Sequence, residues 1–461
     1  MEQIKQNPLG SEKIGTLLAR FAVPSIIAML VSALYNIVDQ FFIGWSVGML
    51  GNAATNVAFP LTITCTGLSL LCGIGGAANF NLCMGKKEPE KAERFAGAAI
   101  GMMLILGVVL CIGTRTCLRP LMLAFGATDD SLGYALTYTG ITSLGFPFLI
   151  LATAGSNLIR ADGSPRFSML CTLTGAIINT ILDPVFIFKF NMGMAGAALA
   201  TILGQLASGL MVAGYLLHFK TVHLHLRSLI PSREYCRKII SLGSAPFFNQ
   251  MAMMVVQIVM NNTLRHYGAG SVYGDAIPLA CAGIISKVNM IYFSIVIGIS
   301  QGIQPITSFN YGAKNYARVR ETYKKAAVLV ICISTAAFLC FQLIPRQIIG
   351  LFGEGSEEYF RFAEQYFRIF LFFTFANGIQ PITANFFTSI GKAGRGVFIS
   401  LTRQILFLLP LILILPLFLG IDGVMYAAPV ADCIAAVLAA VFVTREFARL
   451  RKEEAALGRS E

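Results

Sequence analysis

A series of long apolar stretches constrains this chain of 461 residues more than any other feature. Each stretch contains the roughly 20 mostly apolar residues that a helix needs to cross a bilayer. Charged residues make up only 13% of the chain, against about 25% in soluble proteins. The sequence therefore predicts an all-α polytopic membrane protein with twelve transmembrane helices. The predicted spans are 14–44, 52–82, 95–118, 134–159, 166–189, 194–219, 238–267, 277–311, 318–345, 359–389, 396–419 and 423–447.

Lysine and arginine residues are distributed unevenly between the loops that join these spans. The N-terminal segment, the even-numbered loops and the C-terminal segment hold 26 of them, from Lys5 to Arg459, and the odd-numbered loops hold 6. Because cytoplasmic loops of membrane proteins carry the basic excess, we predict that both termini lie in the cytoplasm. The net charge of +12 is spread over alternate loops rather than gathered in one patch, so nucleic acid is not an expected partner.

The sequence contains an internal repeat. Pro24 in LARFAVPSI corresponds to Pro246 in IISLGSAPFF, an offset of 222 residues. Offsets of 227 to 228 relate Gly85 to Gly312, Asn157 to Asn385, Gly163 to Gly391 and Gly196 to Gly423. Each copy holds six spans, an even number, so both copies enter the membrane from the same side. We therefore predict two six-helix bundles related by a pseudo-two-fold axis along the membrane normal: residues 1–219 and 238–461, joined by a cytoplasmic linker at 220–237.

Two carboxylates, both in the first half, lie inside these apolar spans. A charged side chain in the bilayer costs from about 3 to more than about 10 kcal/mol, so intramembrane acids indicate function. At about 1.5 Å per residue, Asp39 lies roughly 8 Å, Asp183 about 9 Å and Thr201 about 10 Å below the outer end of its span. Three oxygen-bearing side chains on three helices are therefore predicted at one level.

Neutral polar side chains accompany the acids. Asn179 precedes Asp183 by four residues and shares its helical face. Asn36 and Tyr35 precede Asp39 by three and four residues, and we expect both to line the substrate cleft. Two carboxylates in a low-dielectric site favour holding a proton, whereas together with Asn and Thr oxygens they suit a small cation such as Na⁺. The structural alternative is hydrogen bonding between helices. The sequence thus predicts ion-coupled transport, with H⁺ or Na⁺ as the coupling ion and no other cofactor.

The repeat does not preserve this polar set. The aligned residues of the second half are Leu409 for Asp183, Asn261 for Asp39 and Ala428 for Thr201. A requirement of architecture alone would recur in both halves, so the asymmetry favours function. Lys287 lies about 15 Å into the eighth span, near the bilayer midplane. We expect it to face the cleft between the halves and to act on substrate or pair with an acid; a lysine that reaches for the interface is the structural alternative.

Motifs for ATP binding and for hydrolytic catalysis are absent from the sequence. There is no G-x-x-x-x-G-K-[ST], no G-x-S-x-G and no H-E-x-x-H. We therefore predict that the protein is not an enzyme and that ATP is not its energy source.

Five segments carry a resemblance to a known family. They are LYNIVDQFFIG (34–44), SNLIRADGSPRFSM (156–169), INTILDPVFIF (178–188), MGMAGAALAT (192–201) and QGIQPITSFNYGAKN (301–315). The chain resembles the multidrug and toxic compound extrusion (MATE) family, and within it the MepA-like bacterial exporters. The resemblance implies two six-helix lobes, alternating access, and export of cationic or amphipathic compounds across the bacterial cytoplasmic membrane, driven by H⁺ or Na⁺ influx. It places the family's N-lobe proton or cation site on Asp39, Asn179, Asp183 and Thr201.

Two features of the sequence qualify this resemblance. Another branch of the family carries acids in spans seven and ten, and this chain offers no deep acid there, which puts a second-lobe site in doubt. Gln40 is neutral where close relatives often have a basic residue, so we favour H⁺ as the coupling ion. The alternative function is a flippase for a lipid-linked oligosaccharide, which would line its cleft with several basic residues; only Lys287 and Arg403 are available. The expected partners are small molecules and the lipid bilayer, and we expect a monomer.

Overall fold

The computed structural model describes residues 7–274, 276–351 and 356–457. Eleven helices within this part of the chain are long and apolar enough to cross a membrane, and the protein is a multi-pass membrane protein. Lys5, Arg459 and the outer ends of the predicted units 1–219 and 238–461 lie outside the described residues. The long helices are α1 (Ile14–Val47), α2 (Met49–Gly85), α3 (Pro89–Thr116), α4 (Asp129–Ala161), α5 (Pro165–Lys189), α6 (Gly193–Leu216), α7 (Arg233–Ala269), α8 (Ala276–Gly312), α9 (Tyr316–Leu343), α11 (Ala393–Leu419) and α12 (Ile421–Leu457).

The predicted tenth span, 359–389, does not form one continuous helix. It is divided into α10a (Glu357–Phe370), α10b (Thr374–Asn377) and α10c (Ile379–Ser389). Proline has no backbone N–H, so Pro381 cannot donate the helical hydrogen bond to the carbonyl of Asn377, where α10b ends. Gly378 lies against α9 so closely that a Cβ there would lie 2.4 Å from Val330 Cγ1. The break therefore lies at a closely packed contact with α9.

Pro184 follows Asp183 in the fifth span, and the helix changes its hydrogen-bonding pattern there. The α-helical part of α5 ends at Pro184 and a π-helical turn follows over Val185–Lys189. Helix α11, its counterpart in the repeat, also contains a π-helical segment, Thr402–Leu408. π-helical segments are rare and concentrate at functional sites.

The backbone of the loops repeats with the same offset as the sequence. Left-handed φ angles occur in pairs at offsets of 227 to 228: Lys87 (62°) and Lys314 (58°), Gly163 (83°) and Gly391 (80°), Gly193 (53°) and Gly420 (59°). Few non-glycine residues adopt positive φ, so the lysine pair is a specific match. The two halves of the chain therefore share loop conformations as well as motifs.

The two halves meet most closely at one end of the bundle, which we call the inner end because it holds the N-terminal residues 7–13. A Cβ on Gly243 of α7 would lie 1.9 Å from the carbonyl oxygen of Leu71 on α2, and one on Gly75 would lie 2.1 Å from that of Ile239. Helices α1 and α8 touch in the same way, since a Cβ on Gly298 would lie 2.6 Å from Ile26 Cα. Only glycine permits helix backbones to approach this closely.

Residues 7–13 cross from the first half of the chain to the second, and we call them the N-terminal strap. Leu9 is buried at 4% exposure, and its carbonyl accepts hydrogen bonds from Asn310 Nδ2 at 2.9 Å and Arg318 Nη2 at 3.2 Å. Arg318 Nη2 also donates to the carbonyl of Glu12 at 2.6 Å. The strap therefore fastens the start of the chain to the inner ends of α8 and α9.

Candidate functional site

Helices α5 and α6 approach each other through two glycines, and this approach forms the core of the site. A Cβ on Gly204 would lie 2.5 Å from the carbonyl oxygen of Gly175, and one on Gly175 would lie 2.9 Å from that of Gly204. Asn179 is one turn beyond Gly175, and Thr201 is one turn before Gly204. Their side chains meet as a result, with Asn179 Nδ2 3.4 Å from Thr201 Oγ1.

Both predicted carboxyl groups lie beside the contact of Asn179 with Thr201. Asp183 is fully buried, and its Oδ1 lies 3.5 Å from Asn179 Nδ2. Asp39 on α1 is partly exposed, and its carboxyl group lies near that of Asp183. The structure thus brings together all four residues that were predicted to form the site.

Several oxygen atoms of this cluster are buried and accept no hydrogen bond from the residues that the structure describes. They are Asp39 Oδ1, Asp183 Oδ2 and Asn179 Oδ1. A buried acceptor without a donor costs about 1–3 kcal/mol, and more when it is charged. Protons or a small hard cation would satisfy such a set. Asn179 directs its amide nitrogen at Asp183 Oδ1 and Thr201 Oγ1 and donates to both. Turning the amide over would present Oδ1 to the same neighbours, and this is the atom that Na⁺ or the O–H of a protonated acid requires.

One further residue lies beside the cluster and was missed in the sequence. Tyr138 on α4 lies near Thr201 and both acids. Depth was the available signal, because Tyr138 is about 14 Å from the start of α4 and Thr201 about 12 Å from the start of α6. No spacing in the sequence shows that α4 packs beside the helices of the acid cluster. Depth alone therefore could not single out Tyr138.

The residues predicted to flank Asp39 have different surroundings. Tyr35 lies close to Asp39 and Asp183. Asn36 is exposed and donates from Nδ2 to the carbonyl of Ser32 on its own helix at 2.7 Å. Tyr35 is therefore a neighbour of the acid pair, whereas the amide of Asn36 is directed away from it.

A third intramembrane acid, Asp432 on α12, corrects the expectation that deep carboxylates occur only in the first half. It is 3% exposed and accepts a hydrogen bond from Arg403 Nε on the π-helical segment of α11. The guanidinium of Arg403 also lies over the ring of Phe293, 5.7 Å from its centroid. The acid was missed because the second half was compared only at positions aligned with Asp39 and Asp183, and Asp432 aligns with Gln205 instead.

This ion pair also weakens the flippase alternative. Arg403 was one of two basic residues available to bind a pyrophosphate, and its charge is compensated by Asp432. Lys287 is partly exposed and makes no ion pair or hydrogen bond with the residues that the structure describes. One uncompensated cation does not form the basic lining that a lipid pyrophosphate requires.

Comparison with models of known protein families identifies the family to which the chain belongs. The MatE family model matches two segments, residues 24–185 and 246–414. The chain belongs to the MATE family. The two matched segments of this MATE protein begin at Pro24 and Pro246, the residues that gave the repeat offset of 222.

The chain is also similar to curated proteins over nearly its whole length. It is 26% identical over 438 residues to the multidrug export protein MepA of Staphylococcus saprophyticus subsp. saprophyticus, with 95% of each chain covered. It is 25% identical over 424 residues to MepA of Staphylococcus aureus (strain MSSA476), with 92% of each chain covered. Within the MATE family the chain is therefore MepA-like, as its motifs predicted.

Solved structures share the fold. The chain superimposes with a TM-score of 0.90 on an outward-facing multidrug resistance MATE family transporter of the MOP superfamily, with 22% identity and coverage of 98% of this chain and 99% of that one. A MOP superfamily transporter from Pyrococcus furiosus Vc1 gives the same TM-score and identity, with coverage of 98% and 100%. These likenesses establish the fold.

Proposed function

We propose that this MATE protein is a secondary antiporter that exports cationic or amphipathic drug-like compounds in exchange for protons. The observation that carries the proposal is the neighbouring pair of Asp39 and Asp183 inside a protein made of membrane helices: Asp183 is fully buried, and Oδ1 of Asp39 is buried without a hydrogen-bond partner among the described residues. An acid pair there has a high cost unless it binds and releases an ion. The multidrug export activity named for the MepA relatives supports the class of compound.

We further infer the architecture in which the pair works. Segments α10a, α10b and α10c together make a tenth span, which brings the total to twelve. Residues 1–219 and 238–461 form two six-helix lobes, and residues 220–237 link them in the cytoplasm. The paired left-handed loop residues and the two matched segments support this repeat. Both termini lie in the cytoplasm of a bacterial cell, and the protein acts as a monomer in the cytoplasmic membrane.

In this proposal the coupling chemistry belongs to the first lobe. Asn179 donates hydrogen bonds to Asp183 and to Thr201, and Gln40 places no cation beside the acids that would stabilise their ionised form. Protonation from the outer side removes the charge of the pair, so the lobe can change conformation without moving a bare carboxylate through the bilayer. The inner end then opens by separation of α2 from α7 and of α1 from α8, and the proton leaves to the cytoplasm as substrate enters.

Purified protein in proteoliposomes tests the coupling ion. One population receives an acidic lumen without Na⁺, and a second receives a Na⁺-loaded lumen at equal pH on both sides. We expect a fluorescent organic cation to accumulate in the first population, because protons leaving the lumen drive it inward. Asp183→Asn, which keeps the size and polarity of the side chain, should abolish this accumulation.

Each other outcome has a defined meaning. Accumulation only in the Na⁺-loaded population would replace H⁺ by Na⁺ and make Asn179 Oδ1 and Thr201 Oγ1 direct ligands. Equal accumulation by Asp183→Asn and wild type would remove the acid pair from the coupling mechanism. No accumulation in either population would refute ion-coupled export of cations.

A further inference from the structure

A buried arginine at the inner end of α4 has no carboxylate partner among the residues that the structure describes. Arg160 is 3% exposed and forms no ion pair with any of them. The acid nearest to it along the chain, Asp162, instead accepts a hydrogen bond from the backbone N–H of Lys220 at 2.8 Å. The other arginine that is buried in the described chain, Arg403, is paired with Asp432. Arg160 is thus a buried cation whose charge no described carboxylate compensates.

Three neutral side chains accept hydrogen bonds from this guanidinium. Arg160 Nη2 donates to Asn157 Oδ1 at 2.7 Å and to Gln301 Oε1 at 2.8 Å. Its Nη1 donates to Ser168 Oγ at 3.3 Å. Asn157 and Ser168 belong to the first half, and each is held there by a hydrogen bond that it donates to a backbone carbonyl of that half, at 2.9 and 3.1 Å. Of the three acceptors, only Gln301 on α8 belongs to the second half.

Gln301 lies where the two halves of the chain are in close contact. Gln304, one turn further along α8, donates to the carbonyl of Ile74 on α2 at 3.2 Å. A Cβ on Gly302 would lie 2.6 Å from Ala22 Cα on α1. When the inner end opens, the guanidinium therefore loses its one acceptor from the second half, and water that enters at this end reaches it.

The repeat contains this contact once. The offset of 228 places Thr388 at the position of Arg160, and the offset of 227 places Ile74 at the position of Gln301. Thr388 donates to a backbone carbonyl one turn earlier in its own helix, at 3.2 Å. A contact that the architecture of each half required would recur in both, so this asymmetry favours a role in the movement of the halves.

The charge of Arg160 affects the closed and the open inner end differently. Water solvates a guanidinium better than neutral side chains do, and burial of a cation without an opposite charge has a high cost. Closure of the inner end imposes this cost, and the hydrogen bond to Gln301 offsets part of it. Opening of the inner end removes the cost.

We propose that Arg160 is a positioning residue of the transport cycle, whose charge favours opening of the inner end while Gln301 permits its closure. This inference rests on the proposed export function. A transporter that has taken up a proton outside must open its inner end again, and the uncompensated charge keeps this step accessible. Ser168, a partner of Arg160, precedes Asp183 by fifteen residues, about 22 Å along α5. Arg160 therefore acts on the movement of the halves and not on the coupling ion.

Hydrogen–deuterium exchange of the purified protein tests the two residues separately. Gln301→Met removes the acceptor and leaves the charge. The double variant Arg160→Met with Gln301→Met removes both, and Gln301→Glu supplies the missing opposite charge. Exchange is followed by mass spectrometry in peptides covering 66–82 and 238–250, where α2 and α7 are in contact.

Two control variants separate this effect from the loss of a glutamine or of a charge. Gln380 is also buried, but its hydrogen bond to the carbonyl of Ile399, at 2.7 Å, lies within the second half. Gln380→Met should therefore leave exchange at the inner end unchanged. Arg166 is exposed on α5, so Arg166→Met removes a charge that closure does not bury and should likewise have no effect there.

We expect Gln301→Met to speed exchange at the inner end about tenfold or more, the loss for a hydrogen bond to a charged group. The double variant and Gln301→Glu should exchange at the wild-type rate or more slowly, because the buried charge is removed or compensated. A double variant that exchanges as fast as Gln301→Met would overturn the proposal, since the contact would then be a simple latch. Unchanged exchange in Gln301→Met would also overturn it.

The comparison of Gln301→Glu with wild type decides the question even where Gln301→Met does not purify. Faster exchange in Gln301→Glu would mean that an opposite charge does not favour closure, and the proposal would fail. The export function is tested apart from this, by proton-driven uptake in proteoliposomes. Absence of uptake by the wild type, together with the expected order of exchange, would refute the export function and leave the role of Arg160 at the inner end supported.

Discussion

Replacement of Gly243 by alanine should open the inner end of this transporter. Its Cβ would lie 1.9 Å from the carbonyl oxygen of Leu71, 2.6 Å from its carbonyl carbon and 2.7 Å from its Cα. All three are backbone atoms, so no side-chain rotation relieves the clash. An ordinary contact begins near 3.4 Å, so α2 and α7 must separate by about 1.5 Å at this point.

The size of the effect follows from the cost of overpacking. A methyl group forced into a closely packed contact costs about 1–3 kcal/mol, and this cost falls only on the state in which α2 and α7 touch. The equilibrium between closed and open inner ends should shift towards the open state by roughly five- to 150-fold. The helix itself should not weaken, because alanine favours helix by up to about 1 kcal/mol over glycine.

Hydrogen–deuterium exchange measured by mass spectrometry detects this shift without added labels. We expect Gly243→Ala to speed exchange in peptides covering 66–82 and 238–250, while peptides from α5 and α6 remain unchanged. Gly214→Ala on α6 is the matched control, since its Cβ would have no neighbour within 4 Å. If Gly243→Ala exchanges like Gly214→Ala in both regions, the glycine contact does not hold the inner end closed.

Three further changes test other parts of the molecule. Asp39→Asn should abolish proton-driven efflux while membrane insertion stays normal, and efflux at the wild-type rate would exclude Asp39 from coupling. Arg403→Leu should lower the free energy of unfolding by about 3–5 kcal/mol because it leaves Asp432 as an unpaired buried charge. The double variant Arg403→Leu with Asp432→Leu should recover much of the melting temperature. An equally low melting temperature in the double variant would contradict this reasoning. Asn310→Leu should speed deuterium exchange of residues 7–17 because the carbonyl of Leu9 loses a donor, and unchanged exchange would show that Asn310 does not hold the strap.

The sequence predicted the acid cluster well because its information is local. Asn179 and Asp183 share a face through a spacing of four residues, and depth along a helix placed Thr201 at the same level. The meeting of α5 and α6 depends on Gly175 and Gly204, whose small size permits the approach. Glycines are common in membrane helices, so their presence alone did not identify this particular contact.

The parts that were missed depend on long-range contacts. Arg403 lies on α11 and Asp432 on α12, the next helix along the chain, and an alignment of the two repeats does not pair these residues. Tyr138 enters the site from α4, which has no acid of its own. The division of α10 follows from Pro381 together with packing of Gly378 against α9. Each of these residues is visible in the sequence, but the packing of the helices decides which of them are in contact.

The N-terminal strap also constrains the order in which the protein is made. The carbonyl of Leu9 leaves the ribosome about 300 residues before its donors, Asn310 and Arg318, exist. Until then the strap has no place to bind, and the first half of the nascent chain is inserted with its inner end unfastened. The strap is thus among the last parts of the protein to settle, and a bulky group attached before residue 7 would act at this late step rather than during insertion of the early helices.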